Sequence, residues 1–156
     1  MTQENLPAGP ISIANSQSLP EGLVRKPILC LDFDGVIHSY TSGWKGADVI
    51  PDPIVEGFFP WLVEAQKEFD VHVFSSRSNQ KGGMLAMMEY LHREVARVCN
   101  SSDAIVFLPR FVDAIDSLYW PTTKPAAFLT IDDRGFTFQG VWPDVQRLKQ
   151  FRPWNK

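Results

Sequence analysis

With 156 residues, 44% of them hydrophobic, the chain has room for a single core and the composition of an ordinary globular protein. Its net charge of −3 offers no broad positive footprint for nucleic acid, and no apolar stretch approaches membrane length. Cys30 and Cys99 lie far apart without metal-binding spacing and no secretory leader pattern is present, so a reducing cytoplasm is the expected compartment.

Residues 1–25, rich in Asn, Gln, Ser, Pro and Gly with little apolar periodicity, read as a flexible tail ahead of one domain over residues 26–156. The apolar run from Pro27 predicts a strand buried on both faces, as in a parallel sheet, with Cys30 in its core. It ends in Leu31-Asp32-Phe33-Asp34-Gly35. Alternation along a strand points Asp32 and Asp34 to the same side, and Gly35 lets the chain turn sharply. Two carboxylates so close repel and are costly to desolvate unless a cation lies between them. Oxygen ligands at the carboxyl end of a sheet suit Mg²⁺. On these residues alone, an ordinary polar loop explains the pattern as well.

Gly43-Trp44-Lys45-Gly46 then reads as a turn between short extended pieces. Trp44 is expected to pack there rather than to stack on a base or sugar. Asp52-Pro53 has the form of a helix N-cap followed by proline at the first helical position, with Ile54, Phe58, Leu62 and Ala65 at helical spacing. Pro60 should kink or shorten that helix. A second strand, residues 70–74, runs into Ser75-Ser76-Arg77-Ser78-Asn79. Hydroxyls, backbone N–H groups and a guanidinium are what a phosphate needs, although serines also cap ordinary strand-to-helix turns. Met84, Met88, Leu91, Val95 and Val98 form the stripe of a second helix, with the methionines read as core packing.

Residues 103–116 fit either a strand at 105–108 or a short helix after Pro109, and residues 117–120 fit a short strand. Pro121 and Pro125 fix the chain on both sides of Lys124, so that lysine is placed rather than dangling. The apolar run 126–131 predicts another buried strand, ending in Asp132-Asp133-Arg134-Gly135. Two buried strands that each deliver paired aspartates are hard to explain as solvation. Residues 143–151 predict a last helix, with Arg147 and Lys149, and Arg152 just beyond it, on a solvated face.

In order and in strand context, DFDGV, FSSR, Lys124 and IDDR resemble the four motifs of the haloacid dehalogenase superfamily of phosphotransferases over residues 27–142. A narrower likeness, to the phosphatase domain of polynucleotide kinase-phosphatases, rests on Ser-x-Arg and Asp-Asp-Arg alone. The resemblance implies an α/β, Rossmann-like three-layer sandwich around a central parallel sheet. The spacings leave no room for a separate cap domain, which needs at least about fifty residues. In that family a hairpin flap after the first motif covers the site, and an open, cap-less enzyme is expected.

The resemblance further implies a Mg²⁺-dependent phosphomonoester hydrolase. Asp32 would be the nucleophile forming an aspartyl-phosphate, and Asp34 the general acid and base. Mg²⁺ would be held by Asp32, the backbone carbonyl of Asp34 and Asp132, with Asp133 sharing the ligation or standing behind it. Ser75, the amide of Ser76 and Lys124 would hold the phosphoryl oxygens, and Arg77 would contact the substrate's phosphate or an adjacent one. The acidic balance favours a small phosphorylated metabolite or nucleotide. A 3′-phosphatase on nucleic-acid ends and a non-catalytic binding module on the same fold are the alternatives.

Overall fold

The computed structural model describes residues 25–137 and 139–156; all but one residue of the expected tail, 1–25, lies outside them. Three parallel strands, β1 (Ile28–Leu31), β2 (Asp70–Val73) and β3 (Leu129–Ile131), form a sheet in the order β2-β1-β3. Leu31 pairs with Val73 on one side and with Ile131 on the other, so the three strands end level with one another. The chain passes from β1 to one neighbour and later returns to the opposite side. The carboxyl end of β1 is therefore the place where strand order reverses, and that crevice is where open α/β sheets bind ligands.

The helices are α1 (Phe58–Glu68), α2 (Gly83–Val98), α3 (Leu108–Asp116) and α4 (Val145–Lys149), with a single 3₁₀ turn at Ile105–Phe107. Residues 105–116 are thus helical, as Pro109 in the first turn of α3 permits. The architecture is mixed α/β with a small open parallel sheet. Its core joins Leu29, Leu31, Val71 and Val73 of the sheet to Phe59 and Leu62 of α1, Met87, Leu91 and Val95 of α2, and Ile115 of α3. No helix among the described residues is long and apolar enough to cross a membrane.

Four local expectations differ from what forms. Helix α1 starts at Phe58 after Gly57, not at Asp52. Ile54 pairs instead with His38 in an isolated bridge, and the Asp52 carboxylate accepts from the backbone and hydroxyl of Ser42, both at 2.9 Å. The later start puts Pro60 in the first turn, where no intrahelical N–H partner is needed. In α2 the buried face is Met87, Tyr90, Leu91, Glu94 and Val95, while Met88 and Val98 are exposed. A buried Tyr90 and a buried Glu94, bonded by Arg97 at 2.7 Å, rotate the face away from the purely apolar stripe. Strand β3 is an edge strand, with Leu129 52% exposed instead of buried on both faces. Residues 117–120 contribute one bridge, His72 to Tyr119, at the outer edge of β2.

Candidate active site

Because the strands end level, Asp32 after β1, Phe74 and Ser75 after β2, and Asp132 after β3 emerge at one edge of the sheet. They line a single open hollow of about 270 Å³ with Ser76, Lys124 and Arg134. The structure therefore brings together Asp32, Ser75, Ser76, Lys124 and Asp132 as the sequence predicts. A larger hollow of about 380 Å³ lies against Val36, Phe58 and Trp61. Its lining is apolar apart from Glu56, so it offers no cation to an anionic ligand.

One oxygen each from Asp32, Asp132 and Asp133 lie within 4.8 Å of one another. The Asp133 carboxylate is fully buried, and neither of its oxygens finds a hydrogen-bond donor among the described residues. Its nearest cation is Arg134 Nε at 3.8 Å, beyond hydrogen-bond distance. Asp133 also explains Gly35 more fully than the turn does. Gly35 has a φ of 89°, and a Cβ there would run into the Asp133 carboxylate. Only glycine lets the loop after β1 close onto the carboxylate that follows β3.

Burial pushes the Asp32 carboxyl up to about 6; the Phe33 N–H at 2.7 Å opposes this, and the Asp132, Asp34 and Asp133 carboxylates add to it. Asp133 is raised too, first by desolvation and then, against the pull of Arg134, by Asp132. Like charges crowded into partial burial raise each other's affinity for a proton or for a cation.

Asp34 behaves in the opposite way. Burial works against its charge, but hydrogen bonds from His38 and Arg77 outweigh that cost and hold its carboxyl below the usual range. His38 Nδ1 lies 2.9 Å from Asp34 Oδ1, and Arg77 Nε donates to Oδ2 at 2.9 Å. The Asp52 amide donates to His38 Nε2 at 3.1 Å. A backbone N–H can only donate, so Nε2 carries the lone pair and Nδ1–H points at Asp34; this tautomer is assigned from the hydrogen-bond network. The Asp34 side chain does not belong to the carboxylate cluster.

Arg77 departs most from the sequence expectation. It is fully buried, not an exposed strand-end group available to substrate. Besides Asp34, its Nη1 donates to the carbonyls of Gly46 at 2.6 Å, Ala47 at 2.8 Å and Val49 at 3.3 Å. The Trp44 ring stacks on its guanidinium at 4.5 Å, which is the packing role expected of that tryptophan. Arg77 thus holds the loop after β1 to the turn after β2. His38 was missed by the sequence reading; its position four residues after Asp34 was the available signal.

Comparison with protein-family models, with curated proteins and with solved structures finds no match. The site stands on its geometry and on the resemblance carried by its motifs.

Two outcomes follow. Arg77→Ala strands a buried Asp34 carboxylate and three loop carbonyls, so it should cost about 3–5 kcal/mol of stability in denaturant unfolding; a loss below about 1 kcal/mol would mean the pair is solvated. Asp32 is raised above its unfolded value. Its contribution to stability is therefore complete below about pH 4 and is lost as pH rises through about 6. The ionised form is the one a cation binds, so the rise in melting temperature on adding Mg²⁺ should be larger at about pH 7.5 than at about pH 5. Equal rises at both would contradict this.

Proposed function

We propose that this protein is a Mg²⁺-dependent phosphomonoester hydrolase of the haloacid dehalogenase type, acting through a phosphoryl group carried on Asp32. The observation that supports the reading best is Asp133. A fully buried carboxylate with no hydrogen-bond donor among the described residues, facing two further carboxylates at a strand-order reversal, is costly unless a cation accompanies it. Three hard oxygens in an open hollow that also holds Lys124 suit Mg²⁺, which keeps part of its shell for water and phosphate. Asp32, Asp132 and Asp133 would hold the ion; bound there, it would neutralise phosphoryl oxygens and help orient the group.

The chain's own residues divide the remaining work. Ser75, 4% exposed, and Ser76 offer hydroxyl and amide donors to the phosphoryl oxygens, and Lys124 adds a positive charge from the opposite strand's approach. An Asp32 oxygen attacks phosphorus as the ester P–O bond breaks, and the leaving alkoxide takes up a proton. Water then attacks the phosphoryl group on Asp32, loses its proton, and releases inorganic phosphate with the Asp32 carboxylate restored. The motif resemblance assigns these proton transfers to Asp34, whose carboxylate is held by His38 and Arg77 and does not line the hollow. As held here it is a carboxylate with both oxygens engaged, the form that accepts a proton from water. Donation to the alcohol requires that His38 or Arg77 release one oxygen while the hollow is filled. On the same reading the fold is Rossmann-like and cap-less. A small phosphorylated metabolite or nucleotide suits the size of the hollow.

The test is hydrolysis of a panel of nucleotides, sugar phosphates and 3′-phosphorylated oligonucleotides. Turnover should stop in EDTA and return with Mg²⁺ but not with Ca²⁺, whose larger and looser shell misplaces the phosphoryl group. Asp32→Asn should reduce it to background. Full hydrolysis in EDTA, or near-normal turnover by Asp32→Asn, would sink the proposal.

A further inference from the structure

Arg77 is buried, so it is not the guanidinium that the hollow exposes. Arg134 lines the same hollow as Asp32, Ser75, Ser76 and Lys124, and its side chain is 56% exposed. Its guanidinium makes no hydrogen bond among the described residues; its only ion-pair partner there is Asp133, at 3.8 Å. The fork is thus charged, at the rim of the site, and open.

It is also seated. The guanidinium lies over the Tyr40 ring at 5.7 Å. Tyr40 is the one non-glycine with a positive φ (55°) among the described residues, a backbone state that persists only where the surroundings impose it. Lys156 contacts the same residue: its Nζ donates to the Tyr40 carbonyl at 2.7 Å and lies 4.9 Å from the ring. Asn155 and Trp154 add hydrogen bonds to the carbonyls of Ser39 at 3.0 Å and Gly35 at 2.7 Å. Residues 154–156 therefore brace the loop that carries Tyr40, and Tyr40 gives Arg134 a fixed platform.

We propose that Arg134 is a specificity-determining residue that binds a second phosphate-type anion of the substrate. The substrate class is then a phosphomonoester bearing another phosphate or phosphodiester on the same or the adjoining sugar. This rests on the phosphatase reading. The reacting phosphoryl group already has Lys124 and the serine donors, whereas a planar fork at the rim matches a second phosphate in bidentate fashion. A substrate with one anionic group leaves that fork unused.

The experiment compares kcat/KM, with Mg²⁺, for a nucleoside 3′-monophosphate, the nucleoside 3′,5′-bisphosphate and a 3′-phosphorylated dinucleotide. Wild-type protein should prefer at least one doubly anionic substrate by about tenfold or more, chiefly through KM. Whichever is preferred separates a free metabolite from a nucleic-acid end as the source of the second anion. In Arg134→Met the preference should shrink to about twofold or less, and Arg134→Lys, which keeps the charge but loses the fork, should fall between. An exposed side chain leaves folding intact, which a melting curve checks. Hydrolysis by wild type with no preference, or an equal proportional loss on all three substrates in Arg134→Met, would overturn this inference alone. No hydrolysis of any of the three would also overturn this inference, whereas the phosphatase reading falls only if the wider panel, sugar phosphates included, is left intact as well.

Discussion

The buried pair between Arg77 and Asp34 joins three segments that are remote in sequence. Asp34 belongs to the loop leaving β1, Arg77 to the turn leaving β2, and the same guanidinium grips the carbonyls of Gly46, Ala47 and Val49. A charge at zero exposure is tolerable only because opposite charge and carbonyl oxygens surround it. His38 completes the arrangement by donating to the second Asp34 oxygen while accepting from the Asp52 amide. The loop after β1 is therefore fixed from two sides before any ligand arrives. Asp32, which precedes it, inherits a defined position beside β3.

Two sets of acidic residues a few ångströms apart thus meet opposite fates. Asp34 is surrounded by donors and held ionised, whereas Asp32 and Asp133 are partly desolvated among their own kind and pushed toward protonation. One set is satisfied by neighbouring donors; Asp133 in the other finds none among the described residues. Gly35 sits at the boundary, since any side chain there would displace the Asp133 carboxylate. The fold concentrates unbalanced negative charge at the one place where an open parallel sheet already presents a crevice.

Much of this was legible in the sequence because strand ends are local features. An apolar run followed by Asp32, Ser75 or Asp132 announces both the strand and the residue that leaves it, and a parallel sheet then gathers those residues without further information. What was not legible depends on partners far along the chain. Arg77 reads as an exposed strand-end residue until Asp34 and the 46–49 carbonyls are seen around it. Asp52-Pro53 carries a valid helix-start signal, yet pairing of Ile54 with His38 overrides it. The α2 stripe misled because Tyr90 and Glu94 are buried with their polar atoms bonded to Asp52 and Arg97, and such partners are invisible to an apolar count. Arg134 stood within a quoted motif without a role, since only the fold puts it beside Tyr40.

The central claim is that Asp32 carries the phosphoryl group. It is tested most directly by acid-quenching the protein during turnover with Mg²⁺ and a hydrolysed phosphomonoester, followed by peptide mass spectrometry. The account predicts an acid-stable, hydroxylamine-labile adduct with the mass of one phosphoryl group on the peptide containing Asp32. Sustained hydrolysis with that peptide unmodified, or with the adduct on another residue, would contradict it.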